Sequence, residues 1–135
     1  MIVVDTNVIA YLLLGGAKTP QARRALQKNP AWVAPLLWRS EFRNVLAAHL
    51  RQGVLSLADA LEAMGEAEAL LRGAEYHVES RRVLDLVAAS TCSTHDCEFV
   101  ALAQALGVPL VTSDAQVLRS FPRTAVPLET FATKR

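Results

Sequence analysis

Three features of the sequence predict an α/β fold, a three-layer sandwich in which a short parallel sheet is flanked by helices. Short, almost wholly apolar runs such as Ile2-Val3-Val4 and Leu110-Val111-Thr112 have the composition of strands buried on both faces. These runs alternate with longer stretches of helical period, the order expected of a parallel α/β arrangement. The chain of 135 residues is 52% hydrophobic, enough for one substantial core, so residues 1–135 are read as one domain.

Taken in order, Met1 to Val4 reads as the first buried strand, and a helix follows from Thr6 to Leu14, stopped by Gly15-Gly16. Lys18 to Asn29 reads as a second helix and Trp32 to Ala34 as a short strand. Pro35 opens a long helix to Gln52, ended by Gly53, following the preference for proline at helix starts and glycine after their ends. Ser56 suits the cap of a helix over Leu57 to Leu71, and Tyr76 to Val78 reads as a small strand. Ser80 to Ala89 is helical, and a helix capped by Ser93 or Thr94 runs to Leu106 before Gly107. Val108 to Thr112 is a second buried strand, Asp114 to Ser120 a turn or two of helix, and Ala125 to Pro127 an edge strand.

The formal net charge is only +1, so a nucleic-acid ligand would need a local basic patch, a metal site or a second subunit rather than a basic whole. Two cysteines, Cys92 and Cys97, make no disulfide framework and fit a reducing compartment. The amino-terminal segment lacks the basic region and cleavage site of a signal peptide. The longest apolar run, Val8 to Leu14, is too short to cross a bilayer. The expectation is a cytoplasmic protein without a membrane partner.

Four acids stand out. Asp5 and Asp114 each sit just past a buried strand and at a helix start, where a helix cap is the ordinary role and where open α/β sheets also bind ligands. Asp96 precedes Phe99 and Val100 by three and four residues and so points along the buried face of its helix, a position that requires a compensating partner. Glu41 flanks the stripe of Trp38, Phe42, Val45, Leu46 and His49, while Arg39 and Arg43 project from roughly the opposite side. A solvated helix edge is the plain alternative for Glu41.

The segments Val3 to Leu13 (VVDTNVIAYLL), Trp38 to Ser56 (WRSEFRNVLAAHLRQGVLS) and Thr94 to Asp114 (THDCEFVALAQALGVPLVTSD), with Phe121-Pro122, resemble the PIN domain family, and most closely its VapC-type toxins. The similarity spans nearly the whole chain in order and spacing. By matching position it implies an acidic set of Asp5, Glu41, Asp96 and Asp114, with Thr6, Asn7, Thr112 and Ser113 orienting acids or metal-held water. It also implies a Mg²⁺- or Mn²⁺-dependent endoribonuclease, an antitoxin partner and a homodimer. His95 and Cys97 depart from the pattern, where an aromatic and a small residue are usual. A PIN-like domain used only to bind RNA or protein is the alternative, although such domains usually lack one of the acids.

The implied chemistry suits these residues. Hydrolysing a phosphodiester requires a water in line with phosphorus and stabilisation of added negative charge, which hard divalent ions supply, ideally as a pair about 3.5–4 Å apart. Mg²⁺ takes oxygen ligands, so carboxylates without His or Cys are an apt set. On this reading Asp5 and Asp96 hold the better-ordered ion, and Glu41 and Asp114 a second ion or the attacking water. The products implied by the resemblance carry a 5′-phosphate and a 3′-hydroxyl.

Other signals carry less. Cys92, His95 and Cys97 lack a fourth ligand for zinc, which leaves Cys97 as a small buried thiol and His95 as an exposed or RNA-facing imidazole. A receiver-like module would need paired acids and a late lysine, and a haloacid-type phosphatase an acid where Asn7 stands. Trp32, Leu36, Leu37 and Trp38 suit core packing, or with Leu12 to Leu14 a groove for an antitoxin helix. Arg23, Arg24, Lys28 and Arg81-Arg82 are candidate phosphate contacts, with a solvated helix face as the default for each.

Overall fold

A computed structural model describes residues 1–134. In chain order the elements are β1 (Ile2–Val4), α1 (Thr6–Leu14), α2 (Thr19–Lys28), β2 (Trp32–Pro35), α3 (Trp38–Arg51), α4 (Leu57–Leu70), β3 (Glu75–Tyr76), α5 (Ser80–Ala88), α6 (Thr94–Leu106), β4 (Leu110–Thr112), α7 (Ala115–Ser120), β5 (Ala125–Pro127) and α8 (Leu128–Thr133). Every strand pairing is parallel, and the sheet order is β3-β2-β1-β4-β5. β1, β2 and β4 are buried along their whole length, as strands covered on both faces must be. One cover is α6, which lies against β1, β2 and β4 and carries α5, while α1 packs with α2, α3 and α4.

β1 is central and hydrogen-bonds to strands reached by opposite routes: the chain moves outward through β2 to β3, then returns to the other side of β1 for β4 and β5. The reversal lies between β1 and β4, where neighbouring connections diverge and leave a crevice at the carboxyl ends of the strands. Asp5 begins the connection after β1, and Asp114 the one after β4.

The sequence differs from the structure at three places. Pro35 does not open the third helix; it is the last residue of β2, in register with Tyr76, and α3 starts at Trp38 after the turn at Leu36-Leu37. Proline has no N–H to donate, so it fits a strand end as readily as a helix start. The small strand β3, at Glu75–Tyr76, starts one residue and ends two residues earlier than expected, because Ala34 and Leu36 pair with the carbonyls of Ala74 and Tyr76. Third, the chain runs from β5 straight into α8, with Pro127 as its cap and no glycine or polar spacer to announce it.

Trp32 and Trp38, at 1% and 0% exposure, are core residues and cannot line a surface groove; of that cluster only Leu36 is substantially exposed. Trp38 is fixed by a polar clasp. Its indole Nε1 donates to Glu75 Oε2 at 2.8 Å, and Arg39 grips the same carboxylate with Nε at 2.6 Å and Nη2 at 2.9 Å. Arg39 Nη1 reaches Glu68 at 2.7 Å, so one guanidinium ties α3 to both α4 and β3. On the far side of the sheet edge, Lys28 Nζ donates to the carbonyls of Phe131 and Lys134 and lies 4.4 Å from the centre of the Phe131 ring, fastening α8 to α2. Arg81 and Arg82 pair within α5 and its cap with Asp85 and Glu79, both at the surface. No helix among the described residues is long and apolar enough to cross a membrane.

Candidate active site

A cleft of about 480 Å³ opens at the carboxyl ends of β1 and β4, and Asp5, Glu41, Asp96 and Asp114 all line it. Each acid is delivered by a different piece of the fold. Asp5 caps α1, its Oδ1 accepting from the Val8 N–H at 3.0 Å, and Asp114 caps α7 in the same way through Val117 at 3.0 Å. The ordinary helix-cap role is thus real at both positions, and it occupies Oδ1 of each carboxylate. Asp96 stands in the first turn of α6, whose N-cap Ser93 accepts from the Asp96 N–H at 3.1 Å. Glu41 comes from the first turn of α3.

Two threonines hold the acids in place. Thr112, 1% exposed, donates its hydroxyl to Asp5 Oδ2 and accepts the Asp114 N–H at 3.0 Å, joining the ends of β1 and β4 through one oxygen. Thr6 donates to Glu41 Oε1 at 2.8 Å, joining α1 to α3. Asn7 lines the same cleft. Ser113 does not; it faces a neighbouring hollow. Ser40 and Asn44, not singled out from the sequence as site residues, also line the cleft, one turn apart on the α3 face that carries Glu41. Their four-residue spacing puts them on one face of α3, but nothing in the sequence tells that face from a solvated one.

The electrostatics are those of crowded, poorly solvated carboxylates. Burial pushes the Asp5 carboxyl up to about 6, with the Asp114 and Glu41 charges adding to the rise and the Thr112 and Val8 hydrogen bonds opposing it. Glu41 is raised chiefly by burial, against the Thr6 hydrogen bond and the nearby His95. Asp96 is raised by burial and then by Asp114. His95 is 65% exposed at the cleft, its Nδ1 3.9 Å from Glu41 Oε2. Cys97 is fully buried behind it, 3.9 Å from Ser90 Oγ, and burial raises its thiol.

Among the described residues no Lys or Arg lines the cleft, so the acids have no permanent cationic partner among them. Among the described residues no three His, Cys, Asp or Glu side chains stand at metal-holding spacing as placed. The four acids nevertheless fit a hard divalent cation: their donors are carboxylate oxygens, partly desolvated, with charges that a cation would neutralise.

The fold and this cleft define a class. The chain belongs to the PIN domain family, whose model matches residues 2–125. Among curated relatives it is similar to ribonuclease VapC3 of Pyrobaculum aerophilum, 28% identical over 129 residues that cover 93% of this chain and 98% of the relative. Among solved structures it is similar to a crystal structure of a P. aerophilum protein, with TM-score 0.78 and 18% identity over 98% of this chain and 94% of that one. A toxin–antitoxin complex from Klebsiella pneumoniae aligns with TM-score 0.67 and 17% identity over 95% of this chain and 98% of its counterpart. FitAcB from Neisseria gonorrhoeae gives 0.75 and 15% over 95% and 98%.

Proposed function

We propose that this chain is a divalent-cation-dependent endoribonuclease, the toxin of a toxin–antitoxin pair, cutting RNA in the acidic cleft. The observation that carries the reading is the convergence of Asp5, Glu41, Asp96 and Asp114 on one cleft at the sheet's reversal point, in a member of the PIN family. Similarity to a named ribonuclease over nearly its whole length supports the activity, and likeness to a toxin–antitoxin complex supports an antitoxin partner. A homodimer completes the proposal.

Asp5 and Asp96 would hold Mg²⁺ or Mn²⁺, with Glu41 and Asp114 completing the acidic wall or orienting the attacking water. When bound, such a cation offsets charge on the phosphate and makes water a better nucleophile near neutral pH. The residues of the chain do the positioning. Thr112 keeps Asp5 aimed inward and ties it to the Asp114 backbone, so the two strand ends cannot drift apart. Thr6 does the same for Glu41. Asn7, Ser40 and Asn44 supply uncharged hydrogen-bonding groups to sugar or phosphate oxygens without adding to the negative charge.

A panel of structured RNAs incubated with Mg²⁺, Mn²⁺ or EDTA tests this. Cleavage is expected only with metal, and Asp5→Asn or Asp96→Asn is expected to reduce it to background with the circular dichroism spectrum unchanged. Undiminished cleavage by both variants would refute the assignment.

A further inference from the structure

The acidic cleft repels the polyanion it is proposed to cut, so RNA must be gripped beside it. Several basic side chains are committed elsewhere: Arg39 to Glu75 and Glu68, Arg81 and Arg82 to Asp85 and Glu79, and Lys28 to the end of α8. Lys18 is different. It makes no ion pair among the described residues, and its ammonium sits 5.1 Å from the centre of the Tyr11 ring at the junction of α1 and α2.

Lys18 lines a second hollow of about 250 Å³, and Thr112 lines both this hollow and the acidic cleft, so the two share a wall at the end of β4. Lys18, Gln21, Ser113 and Glu129 give the hollow its polar groups, and Leu118 and Pro127 its accessible apolar ones. We propose that this hollow is the subsite for the nucleotide next to the scissile phosphate of a single-stranded RNA. The inference rests on the nuclease reading for what occupies the cleft.

Each side chain has a part. Lys18 meets the neighbouring phosphate; Gln21 and Ser113, each able to donate and accept, meet sugar or base edge; Leu118 and Pro127 take the base's apolar surface. Glu129 repels phosphate and accepts from a base amino group, which turns the backbone toward Lys18. Two adjoining depressions with a common wall suit consecutive nucleotides of one strand, whereas a duplex is recognised across a broad, shallow groove. Ser113 then belongs to substrate binding rather than to the support of the acids.

The test is binding of a fluorescent single-stranded oligoribonucleotide in EDTA across a salt series, to the wild type, Lys18→Gln, Gln21→Ala and a charge-matched control, Arg82→Gln. Cleavage of the same RNA with Mg²⁺ is followed in parallel. Lys18→Gln is expected to weaken binding several-fold and to flatten the slope of log affinity against log salt by about 0.7, the value for one phosphate contact on a single strand. Gln21→Ala is expected to weaken binding at an unchanged slope, and Arg82→Gln to change neither. Cleavage by Lys18→Gln should show a raised KM with kcat retained. Unchanged affinity and slope in Lys18→Gln would overturn the subsite even if the wild type cuts RNA. RNA bound through Lys18 without metal-dependent cleavage would uphold the hollow as a site for single-stranded RNA and remove the nuclease reading. An RNA that the wild type does not bind would remove both.

Discussion

Asp5 shows how one residue serves folding and function at once, and at what cost. Its cap to Val8 starts α1 and its bond from Thr112 joins two strand ends, yet burial holds its proton up to about 6. The unfolded chain releases that proton near the ordinary 3.8, so between these values the folded form binds more protons. The stability Asp5 contributes is therefore present below about pH 4 and lost as pH rises through 6. Asp5→Asn removes this penalty. Without metal, its melting temperature is expected to exceed that of the wild type by a few degrees at pH 7, about 1–2 kcal/mol. The gap should close on acidification to pH 4, and a gap independent of pH would contradict the assignment. This acid was legible in the sequence because an apolar strand ends in a carboxylate, and Asp114 repeats the pattern. Ser40 and Asn44 were not, since a small polar residue on a mixed helix face looks like any solvated one until the sheet supplies a cleft for it to face.

Among the elements, α3 presents Glu41, Ser40 and Asn44 to the cleft on one side and is moored on the other by the Trp38–Arg39–Glu75 clasp. Glu75→Ala would leave the buried indole N–H without its acceptor and Arg39 with Glu68 alone. A loss of about 1–3 kcal/mol is expected in chemical denaturation. Glu68→Ala, which removes only the more exposed pair, is expected to cost under about 1 kcal/mol. Equal effects would show that the indole bond carries no weight. The helices bounded by caps and glycines were readable in sequence, as in Ser56 before α4 and Gly107 after α6. Where punctuation was ambiguous the reading slipped. Pro35 suits a strand end as well as a helix start, β3 takes its place from the carbonyls of Ala74 and Tyr76, and α8 is shaped by its packing against α2 rather than by a stop signal.

At the scale of the whole molecule, the acids act as a spring held partly compressed, which a cation would relax. Adding Mg²⁺ or Mn²⁺ at about 100 times its dissociation constant contributes about 2.7 kcal/mol to a folded state that alone binds it, a melting shift on the order of 10 °C. A calorimetric scan without any shift at millimolar metal would count against the shared cleft as a metal centre. The topology also sets the order of events during synthesis. Val3 pairs with Leu110, and Thr112 hydrogen-bonds to Asp5 across 107 positions of sequence. A chain leaving the ribosome exposes its central strand long before the neighbour that completes it exists, and closure across such a span is the slow step of sheet assembly. Three of the four acids are translated before the strand that gathers them. The acidic cleft therefore cannot form until β4 has been made.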